Sequence, residues 1–240
     1  MEKKLKTIEE CGPFVREMLT CISRGGDSGQ RAEERELSRE AMRLIKARTS
    51  WRKLDLLLCG NIKEGDVYAT FTWNNDHYPR DRRDALRQWN NFKRRLMARR
   101  KRKGKELVAF WALQRGDLGN RWHIHCVFNS GGETYAEIEE LWGRGKVKAV
   151  PVERDKDGGI YRSIAKYLAR YRPEKLGQRA WSYTTGTVVK PKRESFFVDG
   201  DAALEVPAGC LKIDEANRET PWGRYEFVEY EIPKILNFSY

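Results

Sequence analysis

Residues 106–129 read ELVAFWALQRGDLGNRWHIHCVFN, and the folding of this stretch decides the arrangement of its neighbours. Glu106–Gln114 and Trp122–Asn129 are rich in the β-branched and aromatic residues that favour strands. The RGDLGNR segment between them carries two glycines and turns the chain back on itself, predicting an antiparallel hairpin. Upstream, VYATFTW (Val67–Trp73) has the same strand composition. Between that strand and the hairpin, Asp81–Arg100 places Ala85, Leu86, Trp89, Phe92, Leu96 and Met97 on one helical face, with arginines opposite. Downstream, Thr134–Trp142 reads as a helix and Lys146–Val152 as a strand. Ile160–Tyr171 reads as a second helix, stopped by Pro173.

The order from Val67 is therefore β-α-β-β-α-β-α. Its first six elements predict an α+β, ferredoxin-like (split βαβ) antiparallel sheet of about five strands with helices on its faces. Segments 181–185, 195–198 and 224–231 are candidate edge strands. Upstream of Val67, Cys11, Phe14, Val15, Met18 and Ile22 recur at helical spacing, as do Leu37, Ala41, Leu44 and Ile45, around a polar SRGGDSGQRAEE loop. The expected organisation is an N-terminal helical extension over 1–64, a main domain over 65–200, and a C-terminal extension over 201–240 that adds a strand.

The chain has 240 residues and a net charge of +12. From Arg80 to Lys105, thirteen Lys or Arg face two acids, so nearly the whole excess sits in one segment. A phosphate backbone is the natural partner of such a cluster. Arg94, Arg95, Arg99 and Arg100 are the candidate DNA-binding residues. The longest apolar runs, such as Leu56–Cys59, are too short to cross a bilayer. The N-terminus lacks a secretory signal, so no membrane partner is expected. Five scattered cysteines, never spaced as CxxC, argue against a disulfide framework and fit a cytoplasmic location.

Two of the three histidines form His123-Ile124-His125 inside a predicted strand. Residues i and i+2 of a strand share a face, so both imidazoles can reach one cation. An HxH pair alone is equally compatible with a structural role. A third ligand would come from Gln114 at the end of the neighbouring strand, or from Asp117 in the turn. In YRSIAKYLARY, Tyr167 and Tyr171 stand four apart on one helix face, beside Lys166 and Arg170. A phenol attacks at neutral pH only where a cation favours the phenolate, and these two basic residues provide such an environment.

HIH on a strand, the following ELWGRGKVKAVPV passage and IAKYLARY on a helix together resemble the HUH-endonuclease family. Within it they look most like rolling-circle replication initiators of phages and plasmids. The family's first motif, a strand ending in FT, is matched by FTW (Phe71–Trp73). The second, HxH, is matched by His123 and His125, and the third, YxxKY or YxxK, by Tyr167 and Tyr171. GQRAWSYTTG (Gly177–Gly186) is similar to a basic stretch and short strand that often follow. The resemblance covers about residues 65–186. Arg170 stands where the family has lysine, and Gln114 where it commonly has glutamate. Arginine keeps the charge but, being always protonated, cannot relay a proton.

The resemblance implies metal-dependent, site-specific nicking and rejoining of single-stranded DNA. Mg²⁺ or Mn²⁺ would be held by His123, His125 and Gln114. Tyr167 would form a 5′-phosphotyrosine link, Tyr171 would serve as second nucleophile, and Lys166 and Arg170 would act on the phosphate. The implied partners are single-stranded or origin DNA and a host helicase and polymerase, since the chain has no GxxxxGK[ST] of its own. Transposases and conjugative relaxases share these motifs. A non-catalytic nucleic-acid-binding module is the alternative from a different class.

Overall fold

The computed structural model describes residues 3–21, 39–116, 121–156, 160–170, 179–220 and 223–233. The chain divides into two compact units: Met1–Gly60 with Asp155–Arg162 and Val189–Tyr240, and Asn61–Arg154 with Ser163–Val188.

The unit built mainly from Asn61–Arg154 holds one five-stranded antiparallel sheet. Counting along the whole chain, its strands are β3 (Val67–Thr72), β4 (Ala109–Arg115), β5 (Trp122–Phe128), β6 (Val147–Pro151) and β7 (Ser182–Tyr183). They lie in the order β6-β3-β5-β4-β7. The first four follow the ferredoxin-like arrangement expected from the β-α-β-β-α-β pattern, and β7 adds the edge strand expected within 181–185. Its helices are α2 (Arg82–Lys101), α3 (Tyr135–Trp142) and most of α4 (Arg162–Ala169).

Alternation along each strand separates the two faces of this sheet. Phe71, Trp111, Leu113, Ile124 and Cys126 enter one core with Trp89, Phe92 and Leu96 of α2 and Ile138 and Trp142 of α3. Its centre is aromatic, with Phe71 5.1 Å from Trp89, 4.9 Å from Phe92 and 5.5 Å from Trp142 between ring centroids. Edge-on and tilted ring pairs of this kind add to the stabilisation from area burial.

Both core helices begin at the caps that their sequences provide. Asp81 accepts a hydrogen bond from the Asp84 backbone N–H at 2.7 Å. Thr134 and Glu137 close a capping box at the start of α3, and Gly143 ends that helix at φ 59°.

The other unit differs from the expected N-terminal helical extension in its first part. Residues 3–21 are a hairpin, β1 (Lys3–Cys11) and β2 (Phe14–Cys21), where the apolar spacing predicted a helix. Gly12, at φ 60°, makes the turn together with Pro13. With β8 (Lys192–Asp199), β9 (Leu211–Thr220) and β10 (Gly223–Glu231), the hairpin forms a second antiparallel sheet ordered β8-β1-β2-β10-β9.

The misreading has a physical cause. Phe14, Val15, Arg16 and Glu17 are all buried, so β2 is covered on both faces and shows no twofold alternation. Its charged residues are paired inside rather than solvated. Arg16 Nε donates to Glu229 at 2.6 Å, Lys6 pairs with Glu17 at 2.6 Å, and the Tyr230 hydroxyl donates to Glu17 at 2.7 Å.

The later helix of the segment is present as α1 (Arg39–Asn61) and runs well past the predicted Ile45. Residues 195–198 and 224–231 are strands as expected, but β10 sits inside the sheet rather than at its edge. None of the five cysteines is in a disulfide. Among the described residues no helix is long and apolar enough to cross a membrane.

Candidate active site

The face of the first sheet opposite α2 and α3 carries the histidines. Antiparallel register sets Gln114 and Thr72 opposite His123, and Ala112 and Thr70 opposite His125. Paired residues share a face, so one patch contains both imidazoles with Gln114, Thr70 and Thr72. The two rings lie 4.6 Å apart between centroids, nearly perpendicular.

Burial sets the protonation state of His125. The side chain is 5% exposed. Desolvation, followed by the neighbouring His123 and Arg170, lowers its pKa to about 3. The ring is therefore neutral at any physiological pH, the form that binds a metal. Its Nδ1 lies 3.0 Å from Thr70 Oγ1 and 3.2 Å from the Tyr68 hydroxyl. Burial, the neighbouring Tyr167 and other local charges raise the Tyr68 pKa, so Tyr68 remains a neutral phenol.

Helix α4 brings the tyrosine. The Tyr167 hydroxyl lies 3.2 Å from Nε2 of His125, with the rings 4.6 Å apart and edge to face. The Arg170 guanidinium carbon stands 4.2 Å from the centre of the Tyr167 ring, close enough for cation–π attraction. Lys166 is exposed on the preceding position of the helix. Gln114, 2% exposed, donates from Nε2 to the Tyr167 carbonyl at 3.2 Å and the Leu168 carbonyl at 3.4 Å. It thus holds the last turn of α4, whose carbonyls lack partners within the helix. Tyr171 and Asp117 lie outside the described residues.

The donors present fit a divalent cation. Two neutral-capable imidazoles lie side by side, and an amide whose oxygen is the coordinating end stands opposite one of them. Among the described residues no three of His, Cys, Asp and Glu cluster to hold a metal, so the third ligand available here is the uncharged Gln114. Thr70 and Tyr68 were not among the sequence candidates. The signal was present in the alternation of β3: residues 68, 70 and 72 share the histidine face, whereas Phe71 and Trp73 of the FTW motif are buried in the opposite core.

The basic helix departs from its sequence reading. Because α2 packs on the Phe71 face, its arginines stand on the layer opposite the histidines. Arg100 is fully buried. It pairs with Glu133 at 2.8 Å and donates to the Asn129 side chain at 2.7 Å and the Asn129 carbonyl at 2.9 Å. It is a structural residue and cannot meet a phosphate. Arg99 is paired with Glu137. Arg95, exposed, donates to the Leu141 carbonyl at 2.8 Å and caps the end of α3. Arg94 is exposed and donates to Asn91.

The sheet order and the histidine pair facing a helix-borne tyrosine define an α+β domain with one compact polar site on its open face. Residues 66–175 match a family model of replication-associated proteins, described as the ORF2 type. The match runs from the residue before β3 through α4, and so takes in every side chain of the site. This likeness to proteins of DNA replication is consistent with a replication initiator. No curated protein and no solved structure matches the chain.

Proposed function

We propose that this protein is a rolling-circle replication initiator that nicks and rejoins single-stranded DNA through a covalent tyrosine intermediate. The observation that carries the reading is the 3.2 Å approach of the Tyr167 hydroxyl to His125 Nε2, beside His123 and under the Arg170 guanidinium. Nucleophile, cation donors and a phosphate-binding cation are thereby gathered at one point.

In this reading His123, His125 and Gln114 would hold Mg²⁺ or Mn²⁺. The bound ion would supply Lewis-acid polarisation of a phosphate and neutralise its developing charge. The Tyr167 oxygen attacks the scissile phosphorus and forms a Tyr–O–P bond, giving up its proton. The bond from phosphorus to the 3′-oxygen breaks, and that oxygen leaves as a free 3′-hydroxyl. Attack by a 3′-hydroxyl on the phosphotyrosine reverses the step without ATP. Arg170 keeps a fixed positive charge beside the phenol, favouring its ionised form and the phosphate. Tyr171 would serve a second transfer. A host helicase would open the duplex, and a host polymerase would extend the 3′-hydroxyl.

The direct experiment is incubation with a pool of labelled single strands and Mn²⁺ or Mg²⁺, followed by a denaturing gel. A labelled band at the mass of protein plus DNA, dependent on metal and lost in Tyr167→Phe, supports the proposal. Label that never migrates with the protein refutes it.

A further inference from the structure

The outward face of α2 is a continuous basic and amide-bearing surface. Ala85, Trp89, Phe92, Leu96 and Arg100 are the buried residues of this helix. On the opposite side, at 3.6-residue spacing, stand Arg83, Arg87, Asn90, Asn91, Arg94 and Lys101, with the small Ala98 between the last two. All are exposed except Asn91, which is half-buried. No carboxylate falls on this arc. Asp84, at its margin, pairs with Arg87 at 2.6 Å, but Arg87 is 73% exposed, and such surface pairs hold weakly. A shallow groove of about 600 Å³ runs along these residues, with Leu86 its one apolar side chain.

We propose that this face of α2 reads double-stranded DNA by lying in the major groove. The helix spans about 30 Å, and the major groove, about 12 Å wide, admits an α-helix. The side chains are of the two types that recognise purine edges in pairs of hydrogen bonds: arginine on guanine and asparagine on adenine. A single strand is a poorer fit. Sequence-tolerant single-strand binding uses exposed aromatic rings on which bases stack, and both aromatic residues of α2, Trp89 and Phe92, are buried in the core. Small Ala98 and Lys101 at the C-terminal end leave room for the groove wall and a phosphate contact. The surface lies on the layer opposite the histidines, so a duplex bound here leaves the site on the open face accessible.

The inference deepens the proposed function by naming duplex origin DNA as a second part of the substrate, and it rests on DNA being the partner. It fails separately from the nicking proposal, because it is tested with no divalent metal present. The full chain is incubated in EDTA with a pool of duplexes, each about 30 base pairs or three helical turns, carrying a randomised centre, and bound DNA is sequenced over successive rounds. Wild type is expected to enrich a common sequence. Arg87→Lys with Asn90→Ala, both at exposed positions, should bind that duplex at least about tenfold more weakly. The same variant should bind the corresponding single strand within about twofold of wild type. Because lysine keeps the charge, the salt dependence should persist while sequence preference is lost. The proposal is overturned if no duplex is enriched, if the variant binds the enriched duplex as tightly as wild type, or if duplex and single-strand affinities fall equally.

Discussion

Gln114 and Tyr167, 53 residues apart in sequence, are joined by a hydrogen bond from the Gln114 amide to the Tyr167 main-chain carbonyl at 3.2 Å. The same side chain stands opposite His123 in the strand register. One residue therefore touches both the cation donors and the helix that presents the nucleophile. Two substitutions separate these roles. Gln114→Ala removes both, and should raise the metal concentration for half-maximal nicking by about 10-fold while lowering the melting temperature. Gln114→Glu keeps an oxygen ligand and adds charge, but a carboxylate cannot donate to the α4 carbonyls. It should retain metal affinity and still melt earlier. Metal titrations beside thermal melts test this, and equal metal affinity in Gln114→Ala and wild type would remove Gln114 from the ligand set.

His123→Ala and His125→Ala should each abolish strand cleavage while leaving far-ultraviolet circular dichroism unchanged. Of the two, His125→Ala should cost more stability. It is the buried ring, and its loss leaves Thr70 and Tyr68 without their shared acceptor. Wild-type cleavage by either variant with metal present would show that the pair is structural.

Tyr167→Phe should give no covalent adduct in a single-turnover nicking assay. Tyr171→Phe should form the first adduct yet fail at the second transfer. Peptide mapping of the DNA-linked protein decides the order, and an adduct on Tyr171 alone would reverse it.

Arg100 and Arg94 make opposite predictions although both belong to the same basic helix. Arg100→Ala leaves Glu133 buried and unpaired, a loss of about 3–5 kcal/mol of stability, without altering the salt dependence of DNA binding. Arg94→Ala with Arg95→Ala should leave stability nearly unchanged and flatten the slope of log affinity against log salt by about 0.7 per lost single-strand contact. Calorimetry compares the stabilities. Binding titrations between about 50 and 200 mM salt, the range over which phosphate contacts weaken visibly, compare the slopes.

How far the sequence is legible varies between the two units for a physical reason. In the first sheet, adjacent elements pair with adjacent elements and each strand buries one face in an aromatic core. Alternation and turn residues then announce the fold, and HIH falls where its register places it. Thr70 and Tyr68 escaped because the FT motif drew attention to the residues on the other side of the same strand. Arg100 looked like its neighbours because one buried turn among many arginines has no sequence signal; only Glu133 and Asn129, distant in the chain, bury it. In the second sheet the partners of β2 lie far along the chain, as Glu229 does from Arg16. Its charges mimic the solvent face of a helix until those partners are known.

That buried ion network yields the last prediction. Asp55 of α1 is 1% exposed. Its Oδ2 stands 3.8 Å from Arg16 Nη2 and 3.8 Å from Arg162 Nε, while Arg162 is also bound to Glu229 at 2.5 Å and Asp214 at 2.7 Å. Burial, reinforced by Glu229, raises the Asp55 pKa to about 6, and the two arginines only partly oppose this. A carboxyl with a raised folded pKa favours the fold in its protonated form. Its stabilising contribution is complete below the unfolded value of about 3.9 and is lost as pH rises through about 6. Asparagine imitates the protonated acid at every pH. The melting temperature of Asp55→Asn, relative to wild type, should therefore rise between about pH 4 and pH 7, by the equivalent of at most about 3 kcal/mol. If the variant instead falls behind wild type over that range, Arg16 and Arg162 stabilise the ionised carboxylate more than burial opposes it, and the sign assigned to Asp55 is wrong.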